Sequence, residues 1–222
     1  MIPPKHNAEF VAAMENVLAT YHLPYNPEVP VIVMDEQPVQ LFKETRMPIP
    51  ATRHHAKRVD YEYERAGVAN IFMIAQPLLG WRRATVREYK TKIDWAEEIR
   101  ILLEEDFPQA KKVKLVCDNL NTHTLGAFYE KFERSLARSL VERLEMIHTP
   151  KHGSWLNIAE NEFSALTRQC VKGVRFGTIE ELRRAVQAWA ALCNDKQKGV
   201  LWQFSIENAR TKLDSLYPKI IK

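Results

Sequence analysis

The chain has 222 residues, of which 45% are hydrophobic and 27% charged, and this is the composition of an ordinary globular protein rather than a disordered one. No apolar run approaches the length of a membrane span, and the first residues lack the apolar core of a signal peptide. A net charge of +4 permits nucleic-acid binding without requiring it. The three cysteines, Cys117, Cys170 and Cys193, lack metal-site spacing and fit a reducing cytoplasm better than a disulfide framework.

The first part of the chain predicts one helix, a linker and then strands. Apolar residues at helical spacing predict a helix over residues 7–21, and the proline-rich residues 23–30 predict an extended linker. The run VIVM predicts a short strand that ends at Asp35, and a second strand is expected after Pro38. Residues 69–80 and the WRRATVREY that follows predict two strands joined by a turn.

The rest of the chain alternates between helices and strands. The predicted elements are a helix over residues 93–105, a strand over 113–117, helices over 125–132 and 136–143, a strand over 144–150, and helices over 154–170, 179–193 and 205–216. The early strands lack intervening helices, which suggests antiparallel hairpins, whereas the later alternation suggests parallel strands. We therefore expect an α/β fold, a mixed sheet flanked by helices, over residues 31–222, preceded by a helix and linker over residues 1–30.

Two aspartates directly follow predicted buried strands. Asp35 comes after VIVM and Asp118 after KLVC. If these strands are parallel neighbours, both carboxylates point to one place at the edge of the sheet. Two carboxylates there do not both ionise easily without a cation, and oxygen ligands favour Mg²⁺ or Mn²⁺. The alternative is that each aspartate begins a turn, where this residue is common.

A third acidic candidate lies in the predicted helix over residues 154–170. Its apolar residues recur at the spacing of a buried stripe, and Glu160 and Glu162 fall on opposite borders of that stripe. A border position suits a ligand that reaches a site in the sheet while its helix packs against it. Helix geometry alone does not choose between Glu160 and Glu162, and a solvated surface glutamate remains an alternative for both.

Three blocks in this order resemble a known family. They are VIVMDEQ with Asp35, LVCDNLNTH with Asp118 and His123, and TPKHGSWLNIAENEF with Glu160. Together they resemble the catalytic motifs of the DDE transposases, in particular the bacterial insertion-sequence branch of the mariner superfamily. The spacing of the last two acids is also similar, and the resemblance covers nearly the whole chain. It favours Glu160 over Glu162 as the third acid.

The resemblance implies a ribonuclease H-like fold with two Mg²⁺ or Mn²⁺ ions per site. Asp35 would bridge the ions, Asp118 would bind one and Glu160 the other, and the ions would stabilise the attacking and leaving oxygens. Water would free a 3′-hydroxyl at a transposon end, and this hydroxyl would attack target DNA. The implied partners are transposon ends, target DNA and a second copy of the chain, in the bacterial cytoplasm with nucleoid association on DNA and no membrane.

Polar and basic residues supply candidates for contacts around the carboxylates. Four are expected beside the metal ligands or the DNA backbone, with helix capping and loop hydrogen bonds as the alternative: Asn119, Asn121, His123 and Asn157. Two segments rich in Lys and Arg, and a Lys-His pair before Glu160, supply the expected phosphate contacts, with a solvated surface as the alternative: Arg53, Lys57, Arg58, Arg82, Arg83, Lys151 and His152.

One departure from the family leaves other functions open. Transposases of this kind carry an N-terminal helix-turn-helix region, whereas only one helix is predicted before the strands here. We therefore expect the catalytic part alone, with salt-sensitive and nonspecific DNA contact. The alternatives are an inactive or truncated DNA-binding remnant, or another ribonuclease H-like nuclease. A metal-free hydrolase is disfavoured because the sequence lacks a G-x-S-x-G nucleophile turn.

Overall fold

The computed structural model describes residues 8–47, 49–56, 58 and 60–219, and these contain one five-stranded sheet in the order β3-β2-β1-β4-β5. The strands are β1 (Val31–Glu44), β2 (Tyr63–Gln76), β3 (Trp81–Arg87), β4 (Val113–Cys117) and β5 (Leu144–His148). β1, β2 and β3 pair antiparallel, whereas β4 and β5 add to β1 in parallel. The predicted combination of antiparallel hairpins and later parallel strands is confirmed.

β1 is a single long strand, and the prediction of two strands separated at Pro38 was wrong. Its pairing with β4 covers only Val31 to Val33, whereas its pairing with β2 continues to Glu44. Pro38 lies opposite Asn70 of β2, beyond the part of β1 that pairs with β4. Proline lacks an amide N–H and is tolerated in a sheet where one side of the strand has no ladder to maintain.

Helices cover both faces of the sheet. They are α1 (Ala8–Tyr21), α2 (Lys92–Ile101), α3 (Gly126–Lys131), α4 (Arg134–Arg143), α5 (Ala159–Leu166), α6 (Ile179–Lys196) and α7 (Ile206–Lys212). Alternate residues of β1 point to opposite faces, as in any strand. Ile32 and Met34 pack against α2, α3 and α4, while Val33 packs against α1 and the start of α5. None of the helices in these described ranges is long and apolar enough to cross a membrane.

α1 belongs to the hydrophobic core. Its buried residues include Met14, Val17 and Leu18, which pack in one cluster with Val33 of β1. The hydroxyl of Tyr21, at the end of α1, donates a hydrogen bond of 2.9 Å to the backbone oxygen of Leu156. α1 therefore supports the segment that leads into α5.

The segment expected to be one helix over residues 154–170 is broken. It consists of a 3₁₀ turn (Ser154–Leu156), α5 and a π-helical turn (Thr167–Val171). Asn157 has an extended backbone, with φ −84° and ψ 109°, and separates the 3₁₀ turn from α5. The apolar spacing continues across the break, which is why periodicity alone predicted one helix. The break places Glu160 in the first turn of α5.

Candidate active site

Asp35 and Asp118 lie beyond the end of the parallel ladder between β1 and β4. The last pair in that ladder is Val33 with Val116, so each aspartate stands two residues further along the chain, Asp35 within β1 and Asp118 directly after β4. The prediction that β1 ends at Asp35 was wrong, since Asp35 still pairs with Met73 of β2. What ends, two residues before Asp35, is the pairing of β1 with β4. This divergence opens the sheet between the two strands, and the carboxyl ends of parallel strands are where ligands bind.

The electrostatics of Asp35 indicate that the acidic residues share one environment. Burial raises the pKa of Asp35 to about 6, and the charges of Asp118, Glu36 and Glu160 act in the same direction. A hydrogen bond of 2.8 Å from the backbone N–H of Glu36 to Asp35 Oδ1 opposes this shift. Asp35 thus carries a charge that the folded chain only partly compensates.

His123 connects Asp118 to the neighbouring strand. Its Nδ1 lies 2.9 Å from Oδ1 of Asp118, and its Nε2 lies 2.9 Å from Oε1 of Glu36. The ring is buried and stacks on Trp95, with 5.5 Å between ring centroids. Burial lowers the pKa of His123, but close contacts with the side chains of Asp118, Cys117 and Glu36 outweigh it and raise the pKa to about 12. The His123 ring is therefore buried between Asp118 and Glu36.

The structure separates the two glutamates that helix geometry left equivalent. Glu162 is buried, and its Oε2 lies 2.7 Å from Nε of Arg82. Glu160 is exposed, and it lines a cleft of about 390 Å³ together with Asp35. Glu162 is neutralised inside the fold, so Glu160 is the glutamate that can act beside Asp35.

Asn157 forms hydrogen bonds with both β1, which carries Asp35, and α5, which carries Glu160. Its Nδ2 donates a hydrogen bond of 2.8 Å to the backbone oxygen of Met34, the residue before Asp35. Its Oδ1 accepts a hydrogen bond of 3.1 Å from the backbone N–H of Ala159, the residue before Glu160. The buried amide thus fixes the start of α5 against β1, and it is a positioning residue for Glu160.

Lys151 and His152 line a second cleft, beside Asp118. This cleft has a volume of about 440 Å³ and is also lined by Asn119. Both basic residues are exposed, and His152 adopts the left-handed backbone region with φ 67°. Such conformations are costly for a residue with a side chain and cluster at functional sites. Asn121 is exposed in the loop that follows β4.

Arg82 and Arg83 do not face solvent as the prediction of phosphate contacts requires. Arg82 is 6% exposed and pairs with Glu162, while Arg83 pairs with Glu98 and, at 2.7 Å, with Asp106. Their charges are compensated within the fold, which argues against either contact. The basic run looked like a surface segment because the partners are distant in sequence.

The remaining basic candidates lie in the connection between β1 and β2. Arg53 and Arg58 are exposed there, and Arg58 forms an isolated bridge with Ile49. Lys57 lies outside the described residues. Phosphate contact by all three residues stays a prediction.

The carboxylate site fits a divalent cation by its chemistry. Asp35, Asp118 and Glu160 offer oxygen ligands only, which suit Mg²⁺ or Mn²⁺. Oδ1 of Asp118 is buried and has no hydrogen bond of good geometry, despite its proximity to His123. Within the part of the chain that the structure describes, no three acidic, His or Cys side chains form a ready-made metal cage.

Sequence reasoning missed Glu36 and Arg168 of this site, whereas the helical spacing already placed Ser164 and Thr167 on the same side as Glu160. Glu36 holds His123, and Ser164, Thr167 and Arg168 line the cleft that contains Asp35 and Glu160. The last three lie four, seven and eight positions after Glu160, on the same side of a helix. That spacing was the signal available in the sequence, whereas nothing local predicted the contact between Glu36 and His123.

A mixed sheet flanked by helices, with aspartates on two adjacent parallel strands and a glutamate on a packed helix, defines a ribonuclease H-like domain with an acidic site. Residues 30–183 match the DDE superfamily endonuclease family, and the chain belongs to this family. A search of curated protein sequences found no match.

Solved structures of the Mos1 mariner transposase share the fold. The Mos1 strand transfer complex matches with a TM-score of 0.60 and 12% identity, covering 97% of this chain and 63% of the Mos1 chain. The Mos1 paired end complex with Mg matches with a TM-score of 0.57 and 15% identity, covering 99% and 66%. The paired end complex with Mn gives 0.56 and 14%, covering 97% and 64%. This chain therefore spans about two thirds of the length of the Mos1 chains.

Proposed function

We propose that the chain is the catalytic domain of a DNA transposase in the bacterial insertion-sequence branch of the mariner superfamily. Its reaction would be DNA strand cleavage at transposon ends followed by strand transfer to target DNA. The observation that carries the proposal is the placement of Asp35 and Asp118 on neighbouring parallel strands, with Glu160 in the same cleft as Asp35. Membership of the DDE endonuclease family and the fold shared with Mos1 complexes support it.

The three carboxylates would hold two Mg²⁺ or Mn²⁺ ions, with Asp35 shared between them. Bound there, such ions supply Lewis-acid stabilisation of charge on the attacking and leaving oxygens. The chain itself supplies orientation: His123 fixes Asp118 against β1, and Asn157 fixes the start of α5 so that Glu160 faces Asp35. Preorganised side chains of this kind hold reacting groups in line without reorganisation during the reaction.

DNA is the partner in this proposal, with transposon ends and target DNA as successive substrates. Lys151 and His152 would bind phosphates beside Asp118, and the exposed Arg53 and Arg58 would contact the duplex further away. A second copy of the chain would act on paired ends, which the paired-end complexes of Mos1 support. The motif resemblance further supports a bacterial host, where the substrate is the DNA of the nucleoid.

The experiment that tests the proposal is nicking of supercoiled plasmid in Mg²⁺ or Mn²⁺. We expect metal-dependent nicking by the wild type and a loss of more than about a hundredfold in Asp118→Asn, since even outer partners of metal ligands contribute 10- to 100-fold. Asp195→Asn removes an exposed carboxylate on α6 and serves as the matched control. Equal nicking by all three proteins would remove Asp118 from the reaction and contradict the proposal.

Two other outcomes would favour the remaining functions. DNA binding without nicking by the wild type would favour a DNA-binding remnant. Faster cleavage of an RNA–DNA hybrid than of duplex DNA would favour another ribonuclease H-like nuclease. Both comparisons use the same protein preparation and the same metal concentrations.

A further inference from the structure

The cleft that contains Asp35 and Glu160 also contains a cation that the fold does not neutralise. Arg168 lines this cleft, which has a volume of about 390 Å³. Its side chain is exposed, and its Nε donates a hydrogen bond of 3.3 Å to the backbone oxygen of Ser164. No carboxylate of the described residues lies within ion-pair distance of the Arg168 guanidinium.

This free charge distinguishes Arg168 from the arginines around it. Arg82 and Arg83, on the sheet beneath, are both committed to buried or half-buried acids. Arg175, after the π-helical turn, pairs with Glu44 at 2.9 Å. An exposed guanidinium without an internal acid keeps the four N–H donors of its two terminal nitrogens available for an external anion, and its planar geometry matches phosphate.

Arg168 lies in the π-helical turn that directly follows α5, and this gives a bound anion a position relative to the carboxylates. Glu160, Ser164 and Arg168 are each four residues apart and lie on one face of the helix. Phe163 and Leu166 are buried on the side of α5 that packs against the sheet, whereas Glu160, Ser164 and Arg168 are exposed. At about 1.5 Å per residue, Arg168 stands roughly 12 Å along the helix from Glu160.

That distance corresponds to a short stretch of one DNA strand. A strand of B-DNA carries one phosphate per roughly 3.4 Å of axis, so about three nucleotides separate the two positions. Thr167 adds a hydroxyl to the same cleft, and Gln37 adds an amide from β1. The cleft thus places one cation and several neutral hydrogen-bonding groups beside the carboxylates of Asp35, Glu36 and Glu160. The cation and the neutral groups are of the kinds that bind a sugar–phosphate backbone.

We propose that Arg168 binds a backbone phosphate of the DNA strand being cut, about three nucleotides from the phosphate held at Asp35 and Glu160. The inference rests on the proposed function, and it extends that function by giving the strand a path along α5 and the π-helical turn after it. Lys151 and His152 line a separate cleft on the Asp118 side. The strand would pass from one cleft across the carboxylates to the other.

The first test measures the salt dependence of DNA binding in EDTA, where no cleavage occurs. Arg168→Ala should weaken binding of a short duplex about tenfold at low salt, and it should reduce the slope of log K against log[salt] by ~0.9, the loss of one phosphate contact. Arg168→Lys should retain most of the slope. Arg184→Ala removes an exposed charge on α6, away from both clefts, and should leave the slope unchanged.

The second test uses the wild-type chain and needs no variant. Arginines are modified with phenylglyoxal with and without the duplex, and the modified sites are identified by mass spectrometry. DNA should protect Arg168 and leave Arg184 reactive. Binding with equal modification of Arg168 in both states, or an unchanged slope in Arg168→Ala, would overturn this inference while leaving the proposed function standing. A chain that binds no DNA at all would overturn both.

Discussion

Asp35 sits partly buried beside Asp118 and Glu160, and this placement raises its pKa to about 6 from the usual 3.8. Between these two pH values the folded protein binds more protons than the unfolded chain. The free energy of unfolding therefore falls as the pH rises from about 4 to about 6, and the loss persists above it. Asp35, the proposed cation ligand, thus reduces the stability of the cation-free fold.

The variant Asp35→Asn tests whether the charge of Asp35 lowers the free energy of unfolding. In EDTA at pH 7.5 the variant should be more stable than the wild type by roughly 1–3 kcal/mol, and at pH 4 the difference should vanish. Urea denaturation at several pH values measures both quantities. Asp195→Asn, at an exposed position, should follow the wild type at every pH. A destabilised Asp35→Asn with an unchanged pH dependence would contradict the argument.

Among the elements, those set by local patterns were predictable and those set by distant partners were not. The strand alternation of β3 and the helical spacing of α1 and α6 appear directly in the sequence. The continuation of β1 past Pro38 depends on where β4 stops pairing, which no local pattern records. The burial of Arg82 likewise depends on Glu162 of α5, far along the chain.

The candidate site follows the same division. The two aspartates were predictable because each follows an apolar strand, and parallel pairing of β1 with β4 brings them level. The choice between Glu160 and Glu162 needed the resemblance, because it depends on which glutamate faces Arg82. The contact of His123 with Glu36 joins the loop after β4 to β1, and no local sequence pattern predicts that these two residues meet.

At the break before α5, the contribution of Asn157 to stability and to nicking can be measured directly. Asn157→Ala leaves the buried backbone oxygen of Met34 without its donor and frees the N–H of Ala159. We expect a loss of about 1–3 kcal/mol in the free energy of unfolding, together with slower plasmid nicking because Glu160 loses its support. Asn161→Ala, at an exposed position on α5, should change stability by less than about 0.5 kcal/mol.

Stability and activity separate the explanations for Asn157. If the amide only stabilises the fold, nicking by Asn157→Ala should recover at a lower temperature where the variant is fully folded. If it positions α5, the nicking rate stays low even when circular dichroism shows a folded chain. Wild-type stability in Asn157→Ala would contradict the role of both hydrogen bonds.

For the whole molecule, the acidic site links metal binding to folding. A ligand that binds the folded chain at 100 times its Kd stabilises it by about 2.7 kcal/mol. For a chain of this length, each kcal/mol raises Tm by about 2–4 °C. Saturating Mn²⁺ should therefore raise the Tm of the wild type by roughly 5–10 °C above its value in EDTA. Thermal denaturation followed by circular dichroism measures this shift.

The variants show whether that shift arises at the proposed site. Asp118→Asn removes one ligand while His123 and Glu36 remain in contact, so the fold is retained and the Mn²⁺-dependent rise should largely disappear. Asp195→Asn should keep the wild-type rise. Asp35→Asn should begin from a higher Tm in EDTA and gain little from Mn²⁺, because it lacks both the uncompensated charge and the ligand. An equal rise in all four proteins would place the metal elsewhere and separate the stability of the fold from the acidic site.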